Sequence, residues 1–307
     1  MTWAMPIQLR ARATLSFLIA SLILATAARP AHAADPNDFT VWSKTNLPGR
    51  LYVPADYDPA VAYPFILFYH GFGERGTNNV AQVDGNIDGL LAAAKQYNAF
   101  LYAPQSNSGN WGSTATTPTA DIQNSIAMMN LARSSYHIDP KRLYVTGLSA
   151  GGGGAWDTLG SYPATFAAGM PICGTLGSSV YRNTLDDENI LTFHARDDSV
   201  VPVANTRNMV NAILSGDGRA PFTFPPATAT EDAFFASETL QYCEFGVGDH
   251  GIWNFVYNEP QVYDWLFAQS LPEPGGLAVI AAASMAALLT RSRRGRCSCC
   301  AICPTMA

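Results

Sequence analysis

The apolar positions of this chain form short runs of two kinds, which alternate through residues 38 to 269. One kind is a continuous run of aromatic, aliphatic and β-branched residues, typical of a strand buried on both faces, and Phe65–Tyr69 is the clearest case. The other kind follows the helical period, so that Ile122, Ile126 and Met129 share one helix face. The alternation predicts an α/β fold in which helices cover both faces of a mostly parallel sheet.

An opening pair of strands is predicted in residues 39–53, and strands and helices then alternate. Further strands are predicted at Phe65–Tyr69, Ala99–Ala103, Leu143–Thr146, Ala167–Pro171, Ile190–Ala195 and Leu240–Phe245. Helices are predicted at Ile87–Gln96, Asp121–Ser135, directly after Ser149, at Val203–Leu214 and at Gln261–Gln269. Gly216–Ser237, rich in Pro, Thr, Ala and Phe, is predicted to be a long loop that could lie over a site.

The stretch Gly147-Leu-Ser-Ala-Gly151 joins the predicted strand 143–146 to a glycine-rich helix and has the GxSxG pattern of a nucleophile elbow. Its glycines permit a sharp turn that exposes the Ser149 hydroxyl. The amide of Ala150 opens the helix and is a candidate oxyanion donor. A purely structural turn is the alternative. A phosphate loop is disfavoured because the stretch has no lysine and its serine precedes the glycine run.

A serine nucleophile of this kind needs an acid and then a histidine later in the chain. His194 lies inside the apolar run 190–195 and is interpreted as a hydrogen-bonded strand residue, whereas His250 lies in a turn after the last predicted strand and is the candidate base. Asp197 and Asp198 both follow a strand, and the residues alone leave the choice of acid open.

The loop His70-Gly-Phe-Gly-Glu-Arg-Gly76 follows the strand Phe65–Tyr69, where a second oxyanion donor is expected. The backbone N–H of Phe72 is our choice, although the spacing does not decide between Phe72 and Gly71. His70 is interpreted as structural.

Six motifs together resemble the secreted esterase branch of the α/β-hydrolases, which includes predicted peptidases, phospholipase or carboxylesterase-like proteins, feruloyl esterases and polyhydroxybutyrate depolymerase-like enzymes. The motifs are His70-Gly-Phe-Gly-Glu-Arg-Gly-Thr-Asn-Asn79, Gly147-Leu-Ser-Ala-Gly-Gly152, Pro171-Ile-Cys-Gly174, His194-Ala-Arg-Asp-Asp-Ser-Val-Val-Pro202, Gly248-Asp-His-Gly-Ile-Trp253 and Tyr263-Asp-Trp-Leu266. The resemblance implies an α/β-hydrolase fold over residues 34–270. The chain departs from it at Ala195 and Asp249, where the family often has Gly, and in the long segment Gly216–Ser237.

The resemblance also implies hydrolysis of carboxylic esters by Ser149, Asp198 and His250, with Asp198 four residues before Pro202 as in the family. Plant-polysaccharide-linked esters or polyesters are the expected substrates. This chemistry requires neither a metal nor an organic cofactor. Trp111 and Trp253 are candidates to wall the substrate, and packing is the alternative for both.

Residues 1–33 are predicted to be an export signal, because Arg10 and Arg12 precede the apolar run Leu15–Ala27 and Ala31-His-Ala33 fits a cleavage site. An uncleaved membrane anchor is the alternative. The predicted mature chain is therefore exported, extracellular or at the cell surface.

Residues 271–296 resemble the PEP-CTERM sorting tail of exported bacterial surface proteins. Leu271-Pro-Glu-Pro274 is followed by an uncharged apolar segment and then by four arginines. The resemblance implies a membrane-bound exosortase as processing partner and a transient membrane association. The Cys-rich extension 297–307 has no assigned role; metal binding, lipidation or a simple translated extension are its possible explanations.

Residues 34–274 contain 11 basic and 24 acidic residues, a net charge of −13. This balance disfavours nucleic acid as a partner. Cys173 and Cys243 are the cysteines of this region, and the sequence leaves open whether they pair. A serine peptidase with the same triad and a non-catalytic surface-binding protein are the alternative functions.

Overall fold

The computed structural model describes residues 34–43, 47–112, 117–175 and 184–273. Nine strands of these ranges form one sheet in the order β1-β2-β4-β3-β5-β6-β7-β9-β8. The strands are β1 Thr40–Val41, β2 Gly49–Tyr52, β3 Tyr63–Tyr69, β4 Phe100–Pro104, β5 Ile138–Leu148, β6 Ala168–Ile172, β7 Ile190–Ala195, β8 Ala233–Ala236 and β9 Leu240–Phe245. Neighbours from β4 to β9 are parallel, and both edges carry antiparallel strands.

Helices cover both faces of this sheet. They are α1 Asp88–Gln96, α2 Ala120–Ser135, α3 Ala150–Ser161, α4 Ala204–Gly216, α5 Trp253–Val256 and α6 Pro260–Ala268. A buried apolar cluster lies between the sheet and the helices on each face. Helices α1 and α6 contribute to one cluster, and α2, α3 and α4 contribute to the other. Ile66 and Phe68 of β3 belong to the first cluster, and Phe65, Leu67 and Tyr69 to the second, as alternating side chains of a strand must.

The continuous apolar run in β3 follows from this double burial. All seven residues of β3 are buried, and burying one large apolar side chain contributes about 1.5–3 kcal/mol. Because neighbouring strands from β4 to β9 are parallel, the loops that follow β3, β5, β6, β7 and β9 meet at one end of the sheet. The predicted acid, base and nucleophile all lie in those loops.

The predicted strands at 65–69, 99–103, 190–195 and 240–245, and the five predicted helices, are confirmed with small shifts in their ends. The prediction that Gly216–Ser237 is a loop throughout is corrected, because the end of this segment forms strand β8, which pairs with β9. Within that segment, Ala229 and Glu231 accept hydrogen bonds through their carbonyls from the buried Arg196. These contacts hold the segment to the edge of the sheet.

Cys173 and Cys243 are both present as buried thiols. Cys173 directly follows β6, and Cys243 lies in β9, with β7 between these two strands. Strands two places apart are separated by about 9.6 Å, whereas a disulfide needs Cα atoms within about 7 Å. The fold therefore keeps the two thiols apart.

Within the part of the chain that the structure describes, no helix is long and apolar enough to span a membrane. The predicted export signal, the sorting tail from Pro274 onward and the Cys-rich extension lie outside the described residues.

Candidate active site

Ser149 occupies the turn between β5 and α3 with φ 56° and ψ −120°. A serine with positive φ is strained, and such strain is maintained only where the surroundings fix the backbone. Here the Ser149 N–H donates to the carbonyl of Ile172 at 2.9 Å, and the Ser149 carbonyl accepts from the amides of Gly153 and Thr175, each at 3.2 Å. The predicted strand, turn and helix are therefore present, with Ser149 at the turn.

The flanking glycines are required by close backbone approach. A Cβ on Gly147 would lie 2.2 Å from the carbonyl oxygen of Gly151, and a Cβ on Gly151 would lie 2.1 Å from that of Tyr69. Neither contact is sterically possible, and both involve backbone that cannot yield. Glycine at these positions lets α3 pack against the ends of β3 and β5.

His250 connects Ser149 to Asp198. Its Nε2 atom lies 2.9 Å from the Ser149 hydroxyl oxygen, and its Nδ1 atom lies 2.7 Å from Oδ2 of Asp198. With Nδ1 donating to the carboxylate, Nε2 is left as an acceptor for the serine proton. The structure thus brings together the three residues expected from the sequence. It also decides between the two aspartates, because Asp197 is exposed and accepts instead from the Asp249 amide at 2.8 Å.

Asp198 is held in place by four donors. Its Oδ1 accepts from the amides of Val200 and Val201 at 2.9 and 2.7 Å. Its Oδ2 accepts from His250, and Nε2 of His194 lies 3.2 Å from the same oxygen. Burial alone would raise the pKa of Asp198, but the hydrogen bonds from the two histidines and the two amides outweigh it and hold that pKa well below its usual value.

His194 is a buried residue of β7, as the sequence indicated. Its single Nε2–H is shared between the Val201 carbonyl at 2.9 Å and Oδ2 of Asp198 at 3.2 Å, and its Nδ1 lies 2.7 Å from the Thr206 hydroxyl. Its proximity to Asp198 is not visible in the sequence pattern. His194 therefore contacts the same carboxylate oxygen as His250.

Asp249 links the loop of the base to the loop of the acid. Its backbone has φ 51°, a left-handed conformation that Asp tolerates better than most residues. Its carboxylate accepts from the amide and the hydroxyl of Ser199 at 3.0 and 2.8 Å. These hydrogen bonds hold the pKa of Asp249 below its usual value. Aspartate at this position, where the related family often has glycine, therefore still adopts a left-handed conformation. It also adds a contact between the two loops.

The loop after β3 lies directly against Ser149. A Cβ on Gly71 would lie 2.7 Å from Cδ1 of Leu148 and 3.5 Å from Cβ of Ser149. Phe72 opens a 3₁₀ turn, Phe72–Glu74, and Ala150 opens α3, so neither amide has an acceptor in its own helix. Both predicted oxyanion donors therefore belong to segments that adjoin the serine, and their role stays a prediction.

His70 is a buried residue that holds the loop after β3 by two hydrogen bonds. Its Nδ1 donates to the Gly71 carbonyl at 2.6 Å, and its Nε2 accepts from the Ser106 amide at 2.9 Å. Burial lowers the pKa of His70 to about 4, so the ring is neutral near pH 7 and can accept that amide bond. The structural interpretation of His70 agrees with these contacts.

The assignment of Trp111 to the substrate wall is corrected by the structure. Trp111 is fully buried, its indole N–H donates to the His70 carbonyl at 2.8 Å, and its ring packs on Tyr69 with centroids 4.6 Å apart. A Cβ on Gly154 would lie 2.4 Å from Cβ of Trp111. The residue fills the core under the elbow helix, and no face of it is left for a substrate.

Trp253 remains at the site, in contact with the base. Its ring meets the His250 imidazole edge-on with centroids 5.0 Å apart. Its indole N–H donates to Oδ1 of Asn86 at 3.1 Å, and the Asn86 amide donates to Oε1 of Glu74 at 2.6 Å. This chain of contacts joins the base to the loop after β3. Sequence reasoning missed Asn86 and Glu74, because neither has a spacing signal that relates it to His250.

Cys173 is a further neighbour that the sequence did not indicate. Its sulfur, a carboxylate oxygen of Asp198 and a ring nitrogen of His250 all lie within 4.8 Å of one another. Burial, with the nearby Asp198 charge, raises the pKa of the Cys173 thiol well above its usual value. Among the described residues, this is the cluster whose donor atoms could hold a metal ion.

Comparison with solved structures places this geometry in a known fold. The chain superposes on a thermostable esterase with a TM-score of 0.62 and 32% sequence identity, over 76% of this chain and 64% of that protein. The chain has the α/β-hydrolase fold. An acetyl xylan esterase from Aspergillus awamori shares this fold at 17% identity and a TM-score of 0.51, over 71% of this chain and 92% of that one.

Dipeptidyl peptidases also share the α/β-hydrolase fold. A dipeptidyl peptidase 4 from Porphyromonas gingivalis matches with a TM-score of 0.54 and 16% identity, over 75% of this chain and 35% of that protein. No protein-family model and no curated protein matches the sequence. The chain spans 64% of the thermostable esterase and 35% of the dipeptidyl peptidase 4, so it matches only part of each. The fold alone does not choose between esters and peptides as substrates.

Proposed function

We propose that this protein is a secreted serine hydrolase that cleaves carboxylic esters through Ser149, His250 and Asp198. The observation that carries the proposal is the pair of contacts of His250, 2.9 Å to the Ser149 hydroxyl and 2.7 Å to the Asp198 carboxylate. Three residues from three separate loops form a hydrogen-bonded series at a strained turn. Such an arrangement suits a nucleophile, a base and an acid that orients the base.

The reaction would begin with the Ser149 oxygen attacking the ester carbonyl while Nε2 of His250 takes its proton. Asp198 keeps the imidazole in the tautomer with Nδ1 protonated, and its charge stabilises the imidazolium as it forms. His250 then gives the proton to the departing alcohol. Water, deprotonated by the same nitrogen, releases the acyl group from Ser149.

Negative charge on the carbonyl oxygen would be stabilised by backbone amides, for which Phe72 and Ala150 are the candidates. The α3 dipole acts in the same direction, since its positive end lies at Ala150. Amides held by rigid backbone need little reorganisation as the charge develops, so they favour the transition state over bound ester.

Esters are favoured over peptides by the 32% identity to a thermostable esterase, since the peptidase matches are more distant. The triad itself fixes acyl transfer and leaves the leaving group open. Plant-polysaccharide-linked esters and polyesters are the proposed substrates, on the sequence resemblance described above. The net charge of −13 in residues 34–274 favours neutral substrates of this kind.

We also propose that the protein is exported and then processed by an exosortase-type enzyme. The support is the charge and apolar pattern of residues 1–33 and 271–296. Mass spectrometry of protein from the native host would give an N-terminus near Ala34. A mature chain that retains Met1 would contradict export by cleavage.

The hydrolase proposal is tested with a fluorophosphonate probe and peptide mapping of the labelled residue. Ser149→Ala should abolish labelling, and His250→Ala should reduce it sharply because the hydroxyl loses its base. His137→Ala is a matched control, since His137 is an exposed histidine just before β5, at the other end of the sheet. We expect hydrolysis of p-nitrophenyl acetate to fall by about 10⁴-fold or more in Ser149→Ala.

Folded protein that the probe does not label would overturn the hydrolase and favour a surface-binding role. Labelling with faster turnover of peptide anilides than of esters would instead support the peptidase.

A further inference from the structure

Three metal-ligating side chains converge beside the nucleophile. Cys173 follows β6, Asp198 follows β7 and His250 follows β9, so the carboxyl ends of three adjacent strands deliver them to one place. One ligand atom from each lies within 4.8 Å of the others. The series Ser149, His250 and Asp198 uses two of these residues, and it assigns no role to the cysteine.

We propose that Cys173, Asp198 and His250 form an inhibitory site for a thiophilic divalent cation such as Zn²⁺ or Cd²⁺. The inhibition rests on the proposed hydrolase activity, whereas the binding does not.

The donor set fits such a cation. Zinc binds thiolate, imidazole and carboxylate together, and three protein ligands leave a fourth position for water. A tetrahedral ion with bonds of about 2.0–2.3 Å holds its ligand atoms roughly 3.3–3.8 Å apart. Oδ2 of Asp198 and Nδ1 of His250, 2.7 Å apart, would separate by at least about 0.6 Å, and the sulfur would approach by no more than about 1.5 Å. Small side-chain rotations supply movements of this size.

The exposed edge of the site lies at His250. Its side chain is 15% exposed, while that of Asp198 is fully buried. An ion would therefore meet the imidazole first and reach the carboxylate and the sulfur as the ring turns. On binding, the Cys173 thiol gives its proton to solvent, and the resulting thiolate and carboxylate neutralise the two positive charges.

Binding would block catalysis through the tautomer of His250. In the resting site, Nδ1 carries the ring proton and Nε2 is free to accept the proton of Ser149. An ion on Nδ1 needs the lone pair of that nitrogen, so the neutral ring must carry its proton on Nε2. The nitrogen that faces the serine is then a donor and cannot act as base. The ion also removes the contact by which Asp198 orients the ring.

Cys243 provides a matched control. It is a buried cysteine like Cys173, but it lies within β9, on the far side of β7 from Cys173. A site formed by Cys173 should lose affinity in Cys173→Ser and keep it in Cys243→Ser. Non-specific attack of the ion on buried thiols would make no such distinction.

The experiment uses the full chain with Cys297, Cys299, Cys300 and Cys303 all changed to serine, so that the terminal cysteines bind no probe. Cd²⁺ is titrated, and the thiolate-to-cadmium charge-transfer absorbance is recorded together with inhibition of p-nitrophenyl acetate hydrolysis. We expect one bound ion, with affinity and inhibition weakened at least about 10-fold by Cys173→Ser. Cys243→Ser should behave like the parent protein. Each variant is compared with its own uninhibited rate.

Ser149→Ala separates the two proposals, because it lacks the nucleophile and keeps all three ligands. Charge-transfer absorbance in this variant supports the site even if the protein hydrolyses no ester. Equal Cd²⁺ binding by Cys173→Ser and its parent, or no charge-transfer band in the parent, would overturn the site and leave the hydrolase standing. Should Cys173→Ser fail to fold, His250→Gln tests the same site, with the band expected only at higher Cd²⁺ concentration.

Discussion

Nε2 of His194 lies 3.2 Å from Oδ2 of Asp198, the oxygen that accepts the hydrogen bond of His250 at 2.7 Å. The carboxylate is therefore shared between two imidazoles from different elements. His250 lies in the loop after β9, and His194 lies in the buried strand β7. The strand histidine fixes the carboxylate oxygen to which the base must be aligned.

His194→Leu removes this support, and we expect the pKa of Asp198 to rise toward its ordinary value. Loss of activity through protonation of Asp198 should then begin at higher pH, with kcat/KM reduced about 10-fold near neutrality. His194→Gln keeps an N–H donor near the position of Nε2. It should therefore restore most of the activity near neutrality and most of the original pH profile. A role in stability alone would lower the melting temperature of His194→Leu and leave its pH profile unchanged.

Gly71→Ala tests the loop that carries the Phe72 amide. The new Cβ would meet Cδ1 of Leu148 at 2.7 Å and Oε2 of Glu74 at 3.1 Å, so these side chains or the loop itself must shift beside Ser149. We expect kcat to fall by about 10- to 100-fold with little change in KM, because a displaced amide weakens binding of the transition state. Gly73→Ala is the control, since its Cβ would meet no atom within 4 Å. Equal kcat values for the two variants would exclude the Gly71 loop from oxyanion binding.

The two tryptophans should respond differently to replacement by phenylalanine. Trp111→Phe loses the 2.8 Å hydrogen bond to the buried His70 carbonyl, and we expect the free energy of unfolding to fall by about 1–3 kcal/mol. Trp253→Phe loses the contact of its indole N–H with Asn86 beside the base. Its kcat/KM should fall by roughly 3- to 10-fold with a small change in stability. Denaturant titration and steady-state kinetics of both variants compare the loss of stability with the loss of activity. A Trp111→Phe protein with unchanged stability and an altered KM would contradict the core position of Trp111.

Glu188, which is not part of the candidate active site, is expected to make the stability of the protein depend on pH. The side chain is 6% exposed, and burial raises its pKa from 4.5 to about 7 despite a hydrogen bond from the Ala164 amide. Between these two values the folded state keeps a proton that the unfolded state has lost, so stability decreases as pH rises from about 4.5 to 7 and stays lower above that range.

Glu188→Gln removes this titration and keeps an acceptor for Ala164. We expect it to raise the free energy of unfolding above pH 7 by at most about 3 kcal/mol and to change it little at pH 4.5. Urea titrations at several pH values measure the difference. Glu238→Gln, at an exposed glutamate, is the control and should show no such pH dependence. A Glu188→Gln protein that gains the same stability at every pH would contradict the buried titration.

The sequence by itself indicated most of the helices and strands and the candidate nucleophile, Ser149. The apolar runs of β3, β7 and β9 identify buried strands because both faces of a central strand need apolar side chains. Ser149 stands out for a similarly local reason, since a Cβ on Gly147 or Gly151 would lie only 2.1–2.2 Å from a backbone oxygen and the turn therefore admits only glycine there. The order of serine, aspartate and histidine then identified His250 and narrowed the acid to two neighbours.

The tertiary structure alone showed that Trp111 lies in the core and that Cys173 and His194 lie beside Asp198, and it supported the resemblance's choice of Asp198 over Asp197 by the contact with His250. The contact of His194 with Asp198 depends on how the chain turns after β7, whereas the position of Cys173 depends on which strands are neighbours. Cys173, Asp198 and His250 are distant in sequence and meet because β6, β7 and β9 lie side by side. Strand β8 was missed for the same reason, because a short edge strand is defined by pairing with its neighbour β9 more than by its own pattern. Local periodicity determines which elements form, and packing between distant segments determines which side chains share a site.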